Sequence, residues 1–182
     1  KYDADLSAYV SDFENGATIY YTPKGCYYIK HILISLTDEQ KQDIKNLRAD
    51  DDETVAATAD EKREEYLLTI REKAESVLKL VDEGGDFEAL MEEYGEDPGM
   101  KNEAYKNGYL TYAGDTGFVT EFADACAALT EDGMTSGLVG SDFGYHIIRR
   151  VSTVPSGEAT FEDVKDSLME SMLTDKKSTT YD

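Results

Sequence analysis

Basic residues are scarce in this chain: 18 Lys or Arg stand against 39 Asp or Glu in 182 residues, a formal charge of −21. Binding to nucleic acid or anionic lipid needs cations that displace counterions from phosphate, so the charge speaks against both as partners. Long apolar runs are missing as well. Stretches such as Ile32-Leu-Ile34 fall far short of the roughly 20 residues a spanning helix requires, so no membrane insertion by this chain is expected. Cysteine is limited to Cys26 and Cys126, neither with a His or second Cys at metal spacing, which argues against a zinc site. One bridge between them is conceivable, but Cys126 lies in an Ala-rich helical run, where a buried thiol is the expected state. No nucleophile elbow of the G-x-S-x-G type occurs, and Gly114-Asp-Thr-Gly117 lacks the preceding strand and following Lys of a phosphate loop. There is no initiator Met and no basic-then-apolar leader before Lys1, so the expectation is a piece excised from a longer protein.

What is present suffices for one ordinary core, since 40% of the residues are hydrophobic. Leu6, Tyr9, Val10 and Phe13 share one helical face, and Gly16 ends that helix. Residues 27–35, Tyr-Tyr-Ile-Lys-His-Ile-Leu-Ile-Ser, read as a strand that is largely apolar on both sides and therefore central. From Thr37 to about Asp60 the chain turns polar and acidic, with Asp50-Asp-Asp-Glu53 in the middle; this predicts a mobile or weakly helical excursion. That acidic run lacks the ligand order and central Gly of a calcium loop and reads as a solvated charge run. Tyr66, Ile70, Ala74, Val77, Leu78 and Val81 then recur at helical intervals up to Gly84-Gly85. A second helix begins at Asp86 as N-cap and buries Phe87, Leu90, Met91 and Tyr94. Residues 98–117 read as loop with a brief strand at Tyr109–Tyr112, and Phe118 to Leu129 as a third helix. Leu138-Val139 and Gly144 to Val151 form two strands around the turn Ser141-Asp-Phe-Gly144. A last helix starts near Thr160 with Phe161, Val164, Leu168 and Met172 as its apolar residues.

The only two histidines, His31 and His146, each sit inside a predicted strand between large aliphatics. Spacing leaves two readings open: imidazoles that meet under a binding surface, or two separately bonded core histidines. Four ordered motifs then carry a family likeness. Lys30-His-Ile-Leu33, Gly85-Asp-Phe-Glu-Ala-Leu-Met-Glu-Glu-Tyr94, Phe118-Val-Thr-Glu-Phe-Ala-Asp-Ala125 and Phe143-Gly-Tyr-His-Ile-Ile148 resemble, in order, those of parvulin-type peptidyl-prolyl cis/trans isomerases. The flanking helical pieces resemble those of PrsA-like and SurA-like foldases.

The resemblance implies an α+β fold: a four-stranded antiparallel sheet surrounded by helices, with the two histidines crossing at its centre. It divides the chain into an N-terminal helical flank over 1–25, a parvulin-like domain over 26–151 with the acidic insert at about 37–60, and a C-terminal helical flank over 152–182. By motif position it implies His31, Asp97 and His146 as catalytic groups and Tyr109, Phe118, Phe122 and Phe143 as substrate-binding groups. Phe118 stands where the family has Met, and Lys106-Asn-Gly-Tyr-Leu110 replaces a common Gly-Gly-Asp-Leu-Gly sequence. The acidic insert occupies the place of the basic loop in phosphate-directed members, which speaks against a phosphoserine-proline substrate. The implied activity is isomerisation of X-Pro bonds in unfolded or partly folded proline-containing polypeptides during folding of exported proteins, without cofactor or metal. The likeness also places the protein outside the cytoplasm, lipid-anchored at the cell surface in full length, and leaves room for a homodimer through the helical flanks. The competing expectation is a non-catalytic chaperone or peptide-binding module that keeps the parvulin fold.

Overall fold

The computed structural model describes residues 1–162 together with Val164, Lys165 and Met169. Leu168 and Met172, assigned above to the apolar face of the last helix, lie outside the described residues. In chain order the elements are α1 (Leu6–Glu14), β1 (Tyr21–Thr22), β2 (Cys26–Ser35), α2 (Asp38–Arg48), α3 (Glu53–Ala56), α4 (Ala59–Asp82), α5 (Phe87–Tyr94), β3 (Tyr109–Tyr112), α6 (Thr120–Ala128), β4 (Val139–Ser141), β5 (Gly144–Thr153) and β6 (Gly157–Glu158). The chain forms two compact units. One comprises residues 1–27, 110–112 and the described residues from Thr153 onward; the other comprises 28–109 and 113–152.

In the first unit, α1 is capped by the Asp5 carboxylate, which accepts from the Ala8 amide at 3.1 Å. Tyr9 is its buried residue and meets the Tyr2 ring edge-on at 5.4 Å. β1 and β6 pair antiparallel, Tyr21 opposite Glu158.

The organising element is the four-stranded antiparallel sheet, in the order β3-β2-β5-β4. β2 is interior, as two apolar faces require. Alternation sends Ile32 and Ile34 to one side, where with Ile147 of β5 they meet Ala74 and Val77 of α4 and Phe87, Leu90 and Met91 of α5. His31 and Leu33, and His146 of β5, face the other side. Gly144 starts β5 at φ 138°, and a Cβ there would collide with the Ile34 carbonyl, so only glycine lets the strand close on β2 at this point. The two cysteines are both buried, and no disulfide joins them. Burial pushes the Cys126 thiol up to about 12, with the Asp115 charge adding to the effect.

The segment after β2 is more regular than the mobile or weakly helical excursion expected of it. Residues 38–48 form a regular helix begun by a capping box: the Gln40 amide donates to Thr37 Oγ1 at 3.2 Å and the Thr37 amide to Gln40 Oε1 at 3.0 Å. Ile44 is fully buried with Leu36 and Leu67, and that one anchor overrides the polar composition. The acidic run does local work too, with Asp52 capping α3 by accepting from the Thr54 amide at 2.9 Å. Helix α4 begins at Ala59, earlier than its apolar period shows, and the third predicted helix begins at Thr120 and not at Phe118. The stretch over 98–117 holds two 3-10 turns before β3, and the first buries Met100 in the sheet core.

Ile44→Ala should therefore lower the unfolding free energy by about 2–4 kcal/mol in urea titration, as expected for truncation of a packed core side chain. A mobile insert would show no change.

Candidate active site

Four elements converge on one hollow. β2 supplies His31 and Leu33, β5 supplies His146, and the turn between β4 and β5 supplies Phe143. Phe118 and Val119 come from the approach to α6, and Phe122 from its first turns. Asp97 arrives by a different route. The chain leaving α5 is stitched along β2: the Glu96 amide donates to the Leu33 carbonyl at 2.9 Å, and Glu96 Oε2 accepts from the Ser35 amide at 2.6 Å. Lys73 of α4 grips the other oxygen of Glu96 at 2.8 Å. The next residue is thereby set against His31.

A single line of hydrogen bonds crosses the floor of the hollow. Asp97 Oδ2 lies 2.7 Å from His31 Nε2, His31 Nδ1 lies 3.1 Å from His146 Nδ1, and His146 Nε2 lies 2.7 Å from Ser141 Oγ. With Asp97 ionised, one set of protons satisfies every contact. His31 donates from Nε2, its Nδ1 accepts from the His146 Nδ1–H, and His146 Nε2 accepts from the Ser141 hydroxyl. Ser141 Oγ in turn accepts from the Phe143 amide at 3.1 Å. The remaining valences of Asp97 are filled by the Gly99 amide, donating to Oδ1 at 2.9 Å, and the Tyr109 hydroxyl, donating to Oδ2 at 2.8 Å. A Cβ on Gly99 would overlap the Tyr109 hydroxyl, so glycine is what allows this approach.

Charge follows from these contacts. Burial alone would push the Asp97 carboxyl up, but hydrogen bonds from His31 and from the Gly99 amide, with the Tyr109 hydroxyl behind them, hold it down at about 2. Burial pushes the His146 imidazole well below its ordinary value, and the adjoining His31 adds to the effect. The Tyr109 phenol is pushed up by burial and by the Asp97 charge. At neutral pH the hollow therefore has a fixed carboxylate at one wall and a neutral His146 in its floor.

Above this floor the walls are aromatic. Phe122 meets His31 and His146 edge-on at 5.1 and 5.0 Å, Phe118 lies 5.1 Å from Phe122, and Tyr109 lies 5.8 Å from Phe118. The space enclosed is about 330 Å³, room for a small ring and its neighbouring peptide groups. Phe143, 47% exposed, stands at the rim.

All seven residues singled out in the sequence thus border one hollow, although two of the reasons change. Phe118, expected to open the third helix, instead precedes α6. The extended backbone at Val119 (φ −63°, ψ 147°) folds it back onto the Phe122 ring. Tyr109 adds a hydrogen bond to Asp97 to its place in the wall. Sequence reasoning missed Ser141 and Glu96. The register of the hairpin, Ser141 opposite Gly144 and Val139 opposite His146, was the available signal for the former. Among the described residues no group of three or more His, Cys, Asp or Glu is arranged to hold an ion. No helix among the described residues is long and apolar enough to cross a membrane.

Comparison with known proteins adds the following. Residues 22–153 match the family model described as PPIC-type PPIASE domain. Foldase protein PrsA 4 of Bacillus cereus is 42% identical over 85 residues, covering 46% of this chain and 29% of the relative. Foldase protein PrsA of Halalkalibacterium halodurans is 32% identical over 136 residues, covering 75% and 38%. The crystal structure of PrsA from Bacillus subtilis superposes with a TM-score of 0.43 at 22% identity, covering 96% of this chain and 48% of that one. The chain spans about a third of the length of the curated relatives it matches.

Asp97 and His146 each bind fewer protons folded than unfolded, so stability must fall with acid. The first loss is expected as pH drops below 6.5, where unfolded His146 takes a proton that the folded ring refuses. The second follows between about 4 and 2, as Asp97 is protonated more readily in the unfolded chain than in the fold. Denaturation across pH should show His146→Gln losing the upper step and Asp97→Asn the lower, each step bounded by ~1.4 kcal/mol per pH unit.

Proposed function

Because the chain belongs to the PPIC-type PPIASE (peptidyl-prolyl isomerase) domain family, matched over residues 22–153, we propose that its hollow isomerises X-Pro bonds in polypeptide clients without a covalent intermediate. The observation that carries this reading is an aromatic cup closed below by a fully hydrogen-bonded imidazole pair. Rotation about the X-Pro bond is opposed by amide resonance, which in peptide bonds sets a barrier of ~18–20 kcal/mol and places negative charge on the carbonyl oxygen. Water stabilises that planar, charge-separated form. A wall of Phe118, Phe122 and Tyr109 excludes water from a bound prolyl ring and favours the twisted, less charged arrangement.

The catalytic assignment is His31, Asp97 and His146, with Tyr109, Phe118, Phe122 and Phe143 binding substrate. Asp97, ionised at neutral pH, sets negative charge beside the bond and opposes the build-up on the oxygen that resonance requires. The imidazole pair acts by holding Asp97 and by keeping the floor uncharged at His146, so that no bulk water is drawn in. A reduction of about 5 kcal/mol in the barrier raises the rate by roughly 10³ to 10⁴, within reach of desolvation and one oriented charge.

We further assign the chain to assistance of protein folding outside the cytoplasm, anchored by lipid in full length, with unfolded or partly folded proline-containing polypeptides as clients. The support is its likeness to the foldases named above. On this assignment the two ends of the chain, grouped into one unit, are the part of a chaperone module that would also carry any homodimer contact.

In a protease-coupled or NMR exchange assay with a short X-Pro peptide, the native chain should accelerate isomerisation. Phe118→Ala and His146→Ala should each reduce kcat/KM by about tenfold or more. If the native chain accelerates nothing yet suppresses aggregation of an unfolded client, the non-catalytic chaperone reading replaces this one.

A further inference from the structure

The wall that carries Phe118 stands between two hollows. Phe118 and Val119 border the prolyl cup, and both also border a polar hollow of about 430 Å³ lined by Arg48, Arg63, Glu121 and Asp142. A half-buried partition with open space on both sides is not fixed by core packing alone. Local helix chemistry does not fix it either. Side chains of Thr37 and Asp86 cap α2 and α5, but among the described residues none caps α6, which starts at Thr120, two positions after Phe118. An end without a cap frays readily.

A cluster of ions supplies the missing tether. Glu121, in the first turn of α6 and directly before Phe122, accepts from Arg63 Nη1 of α4 at 2.7 Å. The Arg63 side chain is only 15% exposed, and Asp60, Glu64 and Asp142 lie 3.5, 3.3 and 3.9 Å from its guanidinium. Arg48 closes the cluster by donating to Asp142 at 2.6 and 2.8 Å and to Asp60 at 2.7 Å. Asp142 stands in the chain between Ser141, which ends the floor line, and Phe143 at the rim. An exposed ion pair is worth little. A guanidinium fork set among four carboxylates with little access to water is different: it is held in orientation and only weakly screened by salt.

We propose, resting on the isomerase reading above, that Arg63 is a positioning residue for the prolyl cup: through Glu121 it anchors the uncapped start of α6, and with it the wall of Phe118 and Phe122. It acts on that wall and not on substrate. Ring contacts to a bound proline are made in the ground state and the transition state alike, so loosening the wall falls mainly on KM. The line of Asp97, His31, His146 and Ser141 is left intact.

The test uses the full chain and a fluorescent Ala-Pro peptide without charge, so that loss of a cation cannot act on substrate directly; Kd, KM and kcat are read at a temperature where every variant is folded. Arg63→Gln should raise Kd and KM about fivefold, with kcat changed by less than about twofold. Arg63→Lys, which keeps the charge without the fork, should fall between Gln and native. Arg71→Gln removes an equal charge from the same helix, at a pair with Glu75 on its exposed side, and should change neither constant. In a Phe118→Ala background, Arg63→Gln should cost less than about twofold more, because the wall it positions is already gone. A general loss of stability would instead add in full. Unaltered Kd and KM in Arg63→Gln, a Lys variant no better than Gln, an equal loss in Arg71→Gln, or full additivity with Phe118→Ala would each overturn the assignment. Weakened Kd with this pattern, in a chain whose native form accelerates no peptide, would keep the positioning role and overturn the isomerase reading alone.

Discussion

A hydrogen bond between two imidazole rings needs one ring to donate and the other to accept, and in water either role exchanges freely. Between His31 and His146, exposed by only 4% and 5%, exchange is restricted because every other ring nitrogen is committed as well. The Asp97 carboxylate can only accept, from His31 Nε2–H, and Ser141 donates its hydroxyl at the other end, so the direction of the whole line follows from the carboxylate. An unpaired nitrogen in that interior would cost about 1–3 kcal/mol. The pair also ties the strand register to the site. A slip of one residue between β2 and β5 would carry a histidine to the opposite face of the sheet and replace it with an isoleucine.

Much of the remaining molecule can be understood as support for that line. Glu96 stitches the chain leaving α5 to β2 and so delivers Asp97; Gly99 gives up a side chain so that Tyr109 can reach the same carboxylate. The opposite face of the sheet is filled by α4 and α5, whose packing against Ile32, Ile34 and Ile147 holds the strands rigid beneath the site. Rigidity matters for a reaction driven by solvent exclusion, since a cup that relaxes around its ligand lets water return. The aromatic walls are suited to this, because Phe and Tyr present large apolar faces with few rotatable bonds.

Helix α2 walls a further hollow, which shares Val119 and Phe143 with the cup. It is held at one end by its capping box and at its centre by Ile44, while the Arg48–Asp142 contact links it to the turn that bears Phe143. Its cations face the rim although the segment that follows it, Asp50-Asp-Asp-Glu53, is acidic. Averaged over the insert, these opposite charges cancel into a polar stretch without a pattern; sorted by helical phase, they separate onto different surfaces.

The amino-acid sequence by itself determined the elements whose pattern is strong and local: the two-faced apolar run that makes β2 an interior strand, the helical periods of α4 and α5, the Asp86 cap, and the Ala-rich surroundings that keep Cys126 a thiol. The motifs added which residues border the site. Helix α2 was not legible because one buried isoleucine, and not a repeating stripe, holds it, and the start of α6 was misplaced because Phe118 matches a helical interval by chance of number. Only the tertiary structure decided that His31 and His146, 115 positions apart, are hydrogen-bonded to each other, that Ser141 and Glu96 complete and position the line, and that Lys45 and Phe143 line one hollow. The physical reason is that periodicity reports which way a side chain points along its own element. Which group it meets depends on how separate elements pack, and no local spacing encodes that.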